Sequence, residues 1–180
     1  SRDPLGVYGA SKASGEEAVE ELLGASGQGL VLRTSWVIGP VGKNFALTML
    51  RLHRDKEQLG VVADQVGCPS STLNLANACW QAIQRHSQGV ALPPVLHWCD
   101  GGAASWYDVS VAVGELGMEL GLLDYAATVN PITTADYPTP AKRPNYSLLD
   151  CQGSRQVLQL QAQPWRAALK DVLQAIPTTP

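Results

Sequence analysis

Val7-Tyr8-Gly9-Ala10-Ser11-Lys12 is the stretch on which the fold turns. It sets a tyrosine and a lysine four residues apart where a helical pattern begins. On a helix, residues i and i+4 share one face, about 5–6 Å apart at Cβ. A cation beside a phenol favours the phenolate, which brings the phenol toward donating a proton near neutral pH. At ~5 Å and an effective dielectric of ~20 the attraction is about 3 kcal/mol. A buried tyrosine followed by a solvated lysine has the same spacing, so the rest of the chain decides.

Working outward, Ser11 to Leu23 reads as helix. Ala13, Ala18, Val19, Leu22 and Leu23 are its apolar positions, and Glu16, Glu17, Glu20 and Glu21 read as a solvated acidic face. Gly24 and Gly27-Gln28-Gly29 end it. Leu30 to Val37 then reads as one strand buried on both faces. Thr34, Ser35 and Trp36 lie at its carboxyl end, where open α/β sheets gather their ligands. Helix followed by strand is half of a βαβ unit.

The remaining elements follow in order. Asn44 caps a helix to about Lys56, with Phe45, Met49, Leu50 and Leu52 inward. Gly60–Ala63 is a short strand, and Asp64 to Ser70 a punctuated loop. Thr72 caps a helix over about 73–86 that carries Leu75, Ala76, Cys79, Trp80 and Ile83. Val95–Trp98 is a strand. Ser105 starts a helix to about Leu120, in which Gly114, Gly117 and Gly121 read as close-packing or end glycines. Thr128–Ile132 is a strand. A Pro- and Thr-rich segment runs from Thr133 to Pro144, and loops of that length are often functional. Ser154 caps a short helix to about Leu158. Pro164-Trp165 opens a last helix with Ala168, Leu169, Val172 and Leu173 inward, and the tail from Pro177 to Pro180 is expected to fray.

Composition bounds the function. The chain has 180 residues, 45% of them hydrophobic, 16% charged, with a net charge of −3. That supports a packed core and gives no basic block for nucleic acid. No apolar run approaches the ~20 residues of a membrane span. Cys68, Cys79, Cys99 and Cys151 lack Cys-x-x-Cys spacing and read as reduced cytosolic thiols, two or three of them in the core. The histidines are equally dispersed, so no metal site is expected. No signal peptide is visible, and the opening Ser1-Arg2-Asp3-Pro4 looks like the middle of a protein.

Several stretches together resemble a known family. Tyr8-Gly9-Ala10-Ser11-Lys12 with Gly15-Glu16 resembles the active-site helix of extended short-chain dehydrogenases/reductases. Arg33-Thr34-Ser35-Trp36-Val37, Gly42-Lys43-Asn44-Phe45, Asp64-Gln65-x-Gly67-x-Pro69, Ser105-Trp106-Tyr107 and Arg143-Pro144-x-x-Ser147-x-Leu149-Asp150 are narrower. In that order they resemble the dTDP-4-dehydrorhamnose reductases over nearly the whole chain. Ile38, Gly6 and Ser70 depart from the family, which often has tyrosine, asparagine and threonine there. Ile38 bears on the shape of the sugar pocket.

The resemblance implies an α/β fold: the C-terminal part of a Rossmann-like NAD(P)-binding domain plus a small α/β substrate-binding domain. Residues 1–60 would belong to the first and 61–180 mainly to the second, with interleaved segments. It implies hydride transfer from NADPH or NADH to the C4 ketone of dTDP-4-dehydro-6-deoxy-L-mannose. Tyr8 would donate the proton, and Lys12 would tune it and bind the nicotinamide ribose. Thr34 and Ser35 would lie near the nicotinamide, although strand-end capping accounts for them equally well. Trp36 would wall the sugar, and Asn44 would contact phosphate or sugar alongside its capping role. Gln65 would be a weaker substrate contact. Arg143 would hold the pyrophosphate, since a guanidinium offers paired donors. Trp106, Trp165 and His97 read as core.

No Gly-x-Gly-x-x-Gly occurs. The chain is therefore expected to be part of a longer reductase, inactive alone, with weak binding of dTDP retained and a risk of self-association. The expected partner is a dTDP-sugar, without nucleic acid or membrane. The expected location is the cytoplasm. A homodimer and an Mg ion are left open. Two alternatives remain: a non-catalytic relative such as the regulatory subunit of methionine adenosyltransferase, and a reductase or epimerase for another nucleotide sugar.

Overall fold

The computed structural model describes residues 2–4, 6–139 and 143–177. Lys142 of the Pro- and Thr-rich segment and residues 178–180 of the tail lie outside the described residues. The larger of its cores is built from three helices and a two-stranded parallel sheet. Helix α2 (Phe45–Asp55) starts where the Asn44 side chain accepts a hydrogen bond from the Leu47 amide, as the sequence predicts. Helix α4 (Trp106–Glu119) starts with a capping box, Ser105 and Asp108 satisfying each other's amides. Such local signals act within one turn and are legible without tertiary context. Helix α6 (Trp165–Gln174) buries Ala168, Leu169, Val172 and Leu173 to 1% exposure or less. Full burial of each larger aliphatic is worth about 1.5–3 kcal/mol, so α6 is held by apolar packing.

Gly114 and Gly117 are close-packing glycines. A Cβ at 114 would lie 2.8 Å from His53 Cε1, and one at 117 would lie 2.7 Å from Leu123 Cδ1. They let α2 and α4 approach within one core. Beneath them β3 (Gln58–Val62) pairs in parallel with β8 (Thr128–Ile132) over five residue pairs. The strand expected from Gly60 therefore starts two residues earlier. Ile38 is also in this core, at 1% exposure.

The second core surrounds β1 (Val31–Arg33) and β6 (Val95–His97), which are parallel with Arg33 opposite His97. Here the sequence reading needs correction. The expected strand Leu30 to Val37 breaks after Arg33, and its residues are only partly buried. The backbone turns at Trp36, whose φ of 49° lies in the left-handed region. It resumes as β2 (Val37–Ile38), paired in parallel with β5 (Ser70–Ser71). A bulky residue with positive φ persists only where its surroundings hold it. The loop from Asp64 likewise contains a strand, β4 (Val66–Gly67), antiparallel to β7 (Ala104–Ser105).

Helix α3 (Thr72–Ser87) is capped by Ser71, whose hydroxyl accepts from the Leu73 and Asn74 amides, and not by Thr72. Its buried face is the stripe of small residues. Ala78 and Ala82 are buried against Leu96, Trp98 and Leu158, while Trp80 is 65% and Ile83 57% exposed. Both stripes are apolar, and the small one permits the closer approach. Helix α5 (Gln152–Leu158) begins after Cys151; Ser154 lies inside it, buried, and accepts a hydrogen bond from the His97 amide. Cys68, Cys99 and Cys151 form a third small buried cluster, and Cys79 is exposed.

Helix α1 (Val7–Leu23) has no buried residue. It includes Val7 to Ala10, four residues more than the pattern predicts. Glu16 departs from the expected solvated face. Arg33 Nε donates to Glu16 Oε1 at 2.7 Å, and Arg33 Nη2 to Oε2 at 2.6 Å. Arg2 Nε adds a bond at 3.0 Å.

Candidate active site

The candidate residues fall in two places. Tyr8 and Lys12 stand on the exposed face of α1, with Lys12 Nζ 5.4 Å from the centroid of the Tyr8 ring. Tyr8 is 77% exposed. The helix runs back along β1. Gly29, just before the strand, abuts Leu23 and Val19, whereas Glu16 meets Arg33 at the strand's end. Tyr8 lies eight residues beyond Glu16, about 12 Å at 1.5 Å per residue, and therefore past the carboxyl end of β1.

At that end the two hydroxyls are engaged. Thr34 Oγ1 donates to Ser70 Oγ at 3.0 Å, and Ser35 Oγ to the Cys68 carbonyl at 3.0 Å. They tie the broken strand to the segment before α3. Trp36 follows. Its indole stacks on Trp106 with centroids 3.6 Å apart and 9° between planes, and its edge fits over Gly67.

The second place is a cleft of about 490 Å³. Phe45, Met49 and Leu52 of α2, β3, and Trp106 form its apolar walls; Gln65, Lys56 and Arg143 are among its polar groups. Apolar walls with few convergent polar groups are the usual form of a small-molecule site. Gln65 is 7% exposed, and its Nε2 donates to Thr134 Oγ1 at 3.1 Å. Thr134 in turn donates through its amide and hydroxyl to Asp64, and these bonds hold the Asp64 carboxyl below its usual range. That knot pins the loop bearing Tyr137, Thr139 and Arg143 to the end of β3. Arg143 is exposed and belongs to none of the ion pairs among the described residues. Lys56 is in the same condition.

Asn44 does not line the cleft. Its amide caps α2 and donates to the Gly39 carbonyl at 2.9 Å, which fixes the helix whose face forms one wall. Trp36 stands behind Trp106 and not at the surface of the cleft. Ile38, whose departure from the family bears on the shape of the sugar pocket, is buried in the core. Trp106, read as core, packs against the core and also lines the cleft. Trp165 packs against the core, and His97 Nδ1 faces the Asp150 carbonyl at 3.2 Å.

A Tyr-x-x-x-Lys helix lies along a parallel strand pair, and a cation-bearing cleft lies on the larger core of a mixed α/β fold. The chain belongs to the RmlD substrate binding domain family, whose model matches residues 1–177. It is 41% identical over 170 residues to a dTDP-4-dehydrorhamnose reductase of Aggregatibacter actinomycetemcomitans, covering 94% of this chain and 57% of that protein. Among solved structures it is similar to a dTDP-4-dehydrorhamnose reductase of Clostridium acetobutylicum, with TM-score 0.80 and 32% identity over 96% of this chain and 56% of that one. The Bacillus anthracis reductase, solved in complex with NADP, aligns with TM-score 0.79 and 29% identity, over 96% of this chain and 56% of that one. The chain thus spans a little over half the length of these proteins.

Proposed function

We propose that the complete protein carrying this chain reduces the C4 ketone of dTDP-4-dehydro-6-deoxy-L-mannose to give dTDP-L-rhamnose. The family and the names of its relatives support the substrate. The single observation that carries the chemistry is the meeting of Tyr8 and Lys12 on one exposed helix face past the end of β1.

When bound, NADPH or NADH supplies the hydride. The exposed phenol and ammonium suit the ribose side of such a cofactor, with Thr34 and Ser35 behind them. The ketone oxygen gains negative charge as its carbon takes hydride, so it needs a donor within hydrogen-bond reach. Tyr8 delivers that proton from its hydroxyl, and Lys12 places positive charge beside the ring. Arg143 and Lys56, both lining the cleft, hold the diphosphate; Gln65 meets the sugar-nucleotide; Trp36 and Asn44 act through the Trp106 wall and the α2 cap. Among the described residues no group of three or more His, Cys, Asp or Glu could hold a metal ion.

Residues 1–60 form the cofactor side and 61–180 mainly the substrate side. A core shared by α2 and α4 and the return of β6 to β1 support interleaved segments. The reading places the reaction in the cytoplasm, on the route to cell-surface polysaccharide, in an enzyme able to form a homodimer.

The test is oxidation of NADPH or NADH by the complete protein given the keto-sugar. Stoichiometric oxidation is expected, with Tyr8→Phe lowering kcat by about 10²–10⁴-fold while the fold is kept. No turnover would favour a partner-binding relative. Sugar conversion without net cofactor use would favour an epimerase.

A further inference from the structure

Helix α1 carries the proposed proton donor yet contributes no buried residue to any core. Leu22 is 81% exposed and Val7 89%. Among the described residues the tie of the helix to the end of β1 is a charged knot. The Glu16 carboxylate accepts both donors of the Arg33 fork and a third bond from Arg2, which also reaches Glu20 at 2.9 Å. Bidentate guanidinium–carboxylate pairing fixes orientation as well as distance. The Glu16 side chain is only 15% exposed, so the contact is partly shielded from water.

The placement of the two partners is what gives the knot a use. Glu16 is one turn beyond Lys12 and two beyond Tyr8, on the face that meets β1. Arg33 is the last residue of β1 and directly precedes Thr34 and Ser35. It is pinned in turn by β6, its carbonyl accepting from the Trp98 amide at 2.9 Å. One ion pair therefore sets the height and rotation of the Tyr8–Lys12 face relative to the strand end.

We propose that Glu16 and Arg33 are positioning residues, whose fork seats the Tyr8–Lys12 helix on the carboxyl end of β1. The inference rests on the proposed reductase reading for its catalytic consequence, not for the docking itself. Neither residue touches the reacting atoms; each acts by holding the phenol in place.

Two readouts in the complete protein test it. Hydrogen exchange of the amides of residues 7–23 reports docking without any substrate. Glu16→Gln and Arg33→Gln should each speed that exchange by about fivefold, with β3 and α4 unchanged, as for local release of one element. Arg33→Lys, which keeps a cation opposite Glu16 without the fork, should retain part of the protection. In turnover, Glu16→Gln should lower kcat by about tenfold or more while KM for the dTDP-sugar holds, because a displaced group costs rate more than binding. Unchanged exchange in both single variants would overturn the docking. Altered exchange with unchanged kcat would overturn its role in catalysis. If the unaltered protein does not turn over the keto-sugar while exchange responds as expected, the reductase reading fails and the docking stands.

Discussion

The indole of Trp36 lies flat on that of Trp106, 3.6 Å between ring centroids and 9° between planes. The first residue sits at a left-handed turn after β1, the second at the start of α4. This contact joins the strand that leads from the Tyr8 helix to the wall of the cleft. Phe45 completes the aromatic group at 4.5 Å from Trp106. Trp106→Ala removes both ring contacts and opens the wall. The expected loss is about 2–4 kcal/mol, below the full Trp→Ala cost of a deep core because Trp106 is only partly buried. Denaturant unfolding checks it, and Trp106→Phe should recover part of the loss.

Gly67 makes room for the same stack. A Cβ there would lie 2.6 Å from Trp36 Cε2 and 2.8 Å from Ser147 Oγ. Gly67 is held in β4 by its antiparallel partner Ala104, so the backbone does not yield easily. Gly67→Ala should cost about 1–3 kcal/mol as an overpacking change. The near-ultraviolet circular dichroism of the stacked indoles should change with it. An unchanged spectrum at wild-type stability would count against this account of the glycine.

Arg143 offers a cleaner test of the cleft. It is exposed and joins none of the ion pairs among the described residues, so its removal should leave the melting temperature alone. Arg143→Ala should weaken binding of dTDP by about 10–100-fold, the value of a charged hydrogen bond to phosphate. Arg143→Lys should restore only part of it, because a point charge replaces a fork. Titration calorimetry reads both.

Acid should release α1. The Arg33 fork holds the Glu16 carboxyl down to about 2, against a usual value near 4.5; desolvation opposes this and Arg2 adds to it. A lowered acid stabilises the fold fully above its unfolded value and loses that contribution as pH falls toward the folded one. Glu17 and Glu20 are the neighbouring acids, each within reach of Arg2. Protection of the α1 amides should therefore hold above about pH 5 and decline toward pH 2. In Glu16→Gln this pH dependence should be absent.

The thiols should divide three to one. Cys68, Cys99 and Cys151 are buried, with Cys99 and Cys151 Sγ 3.5 Å apart. The bond to Cys151 pulls Cys99 down, but the Cys68 thiol and burial outweigh it and push Cys99 up to about 11; the Cys99 thiol and burial push Cys151 up as well. The thiolate is the reactive form, so both should resist alkylation at neutral pH. Cys79 is exposed. A thiol titration of the native protein should show one fast-reacting group, and unfolding should release the other three.

Much of the fold was legible because its signals are local. Asn44 and Ser105 cap where the sequence says, and the last helix buries the four residues that its period selects. The failures have physical causes. Ser71 and Thr72 are adjacent cap-formers, and only the backbone decides between them. Helix α3 carries two apolar stripes, and the choice of Ala78 and Ala82 depends on how closely Leu96 and Trp98 approach. The strand from Leu30 looks continuous because nothing local reveals the turn that Trp36 makes against Gly67.

The sequence by itself determined the Tyr8–Lys12 pair, since i and i+4 on a helix must share a face. It also determined the family, through motifs spread along the chain. Tertiary structure alone decided where that pair stands and what surrounds the substrate. Glu16 meets Arg33 across 17 residues and Gln65 meets Thr134 across 69, and Trp36 meets Trp106 from another helix. Such contacts depend on how cores bring distant segments together, which no local propensity encodes.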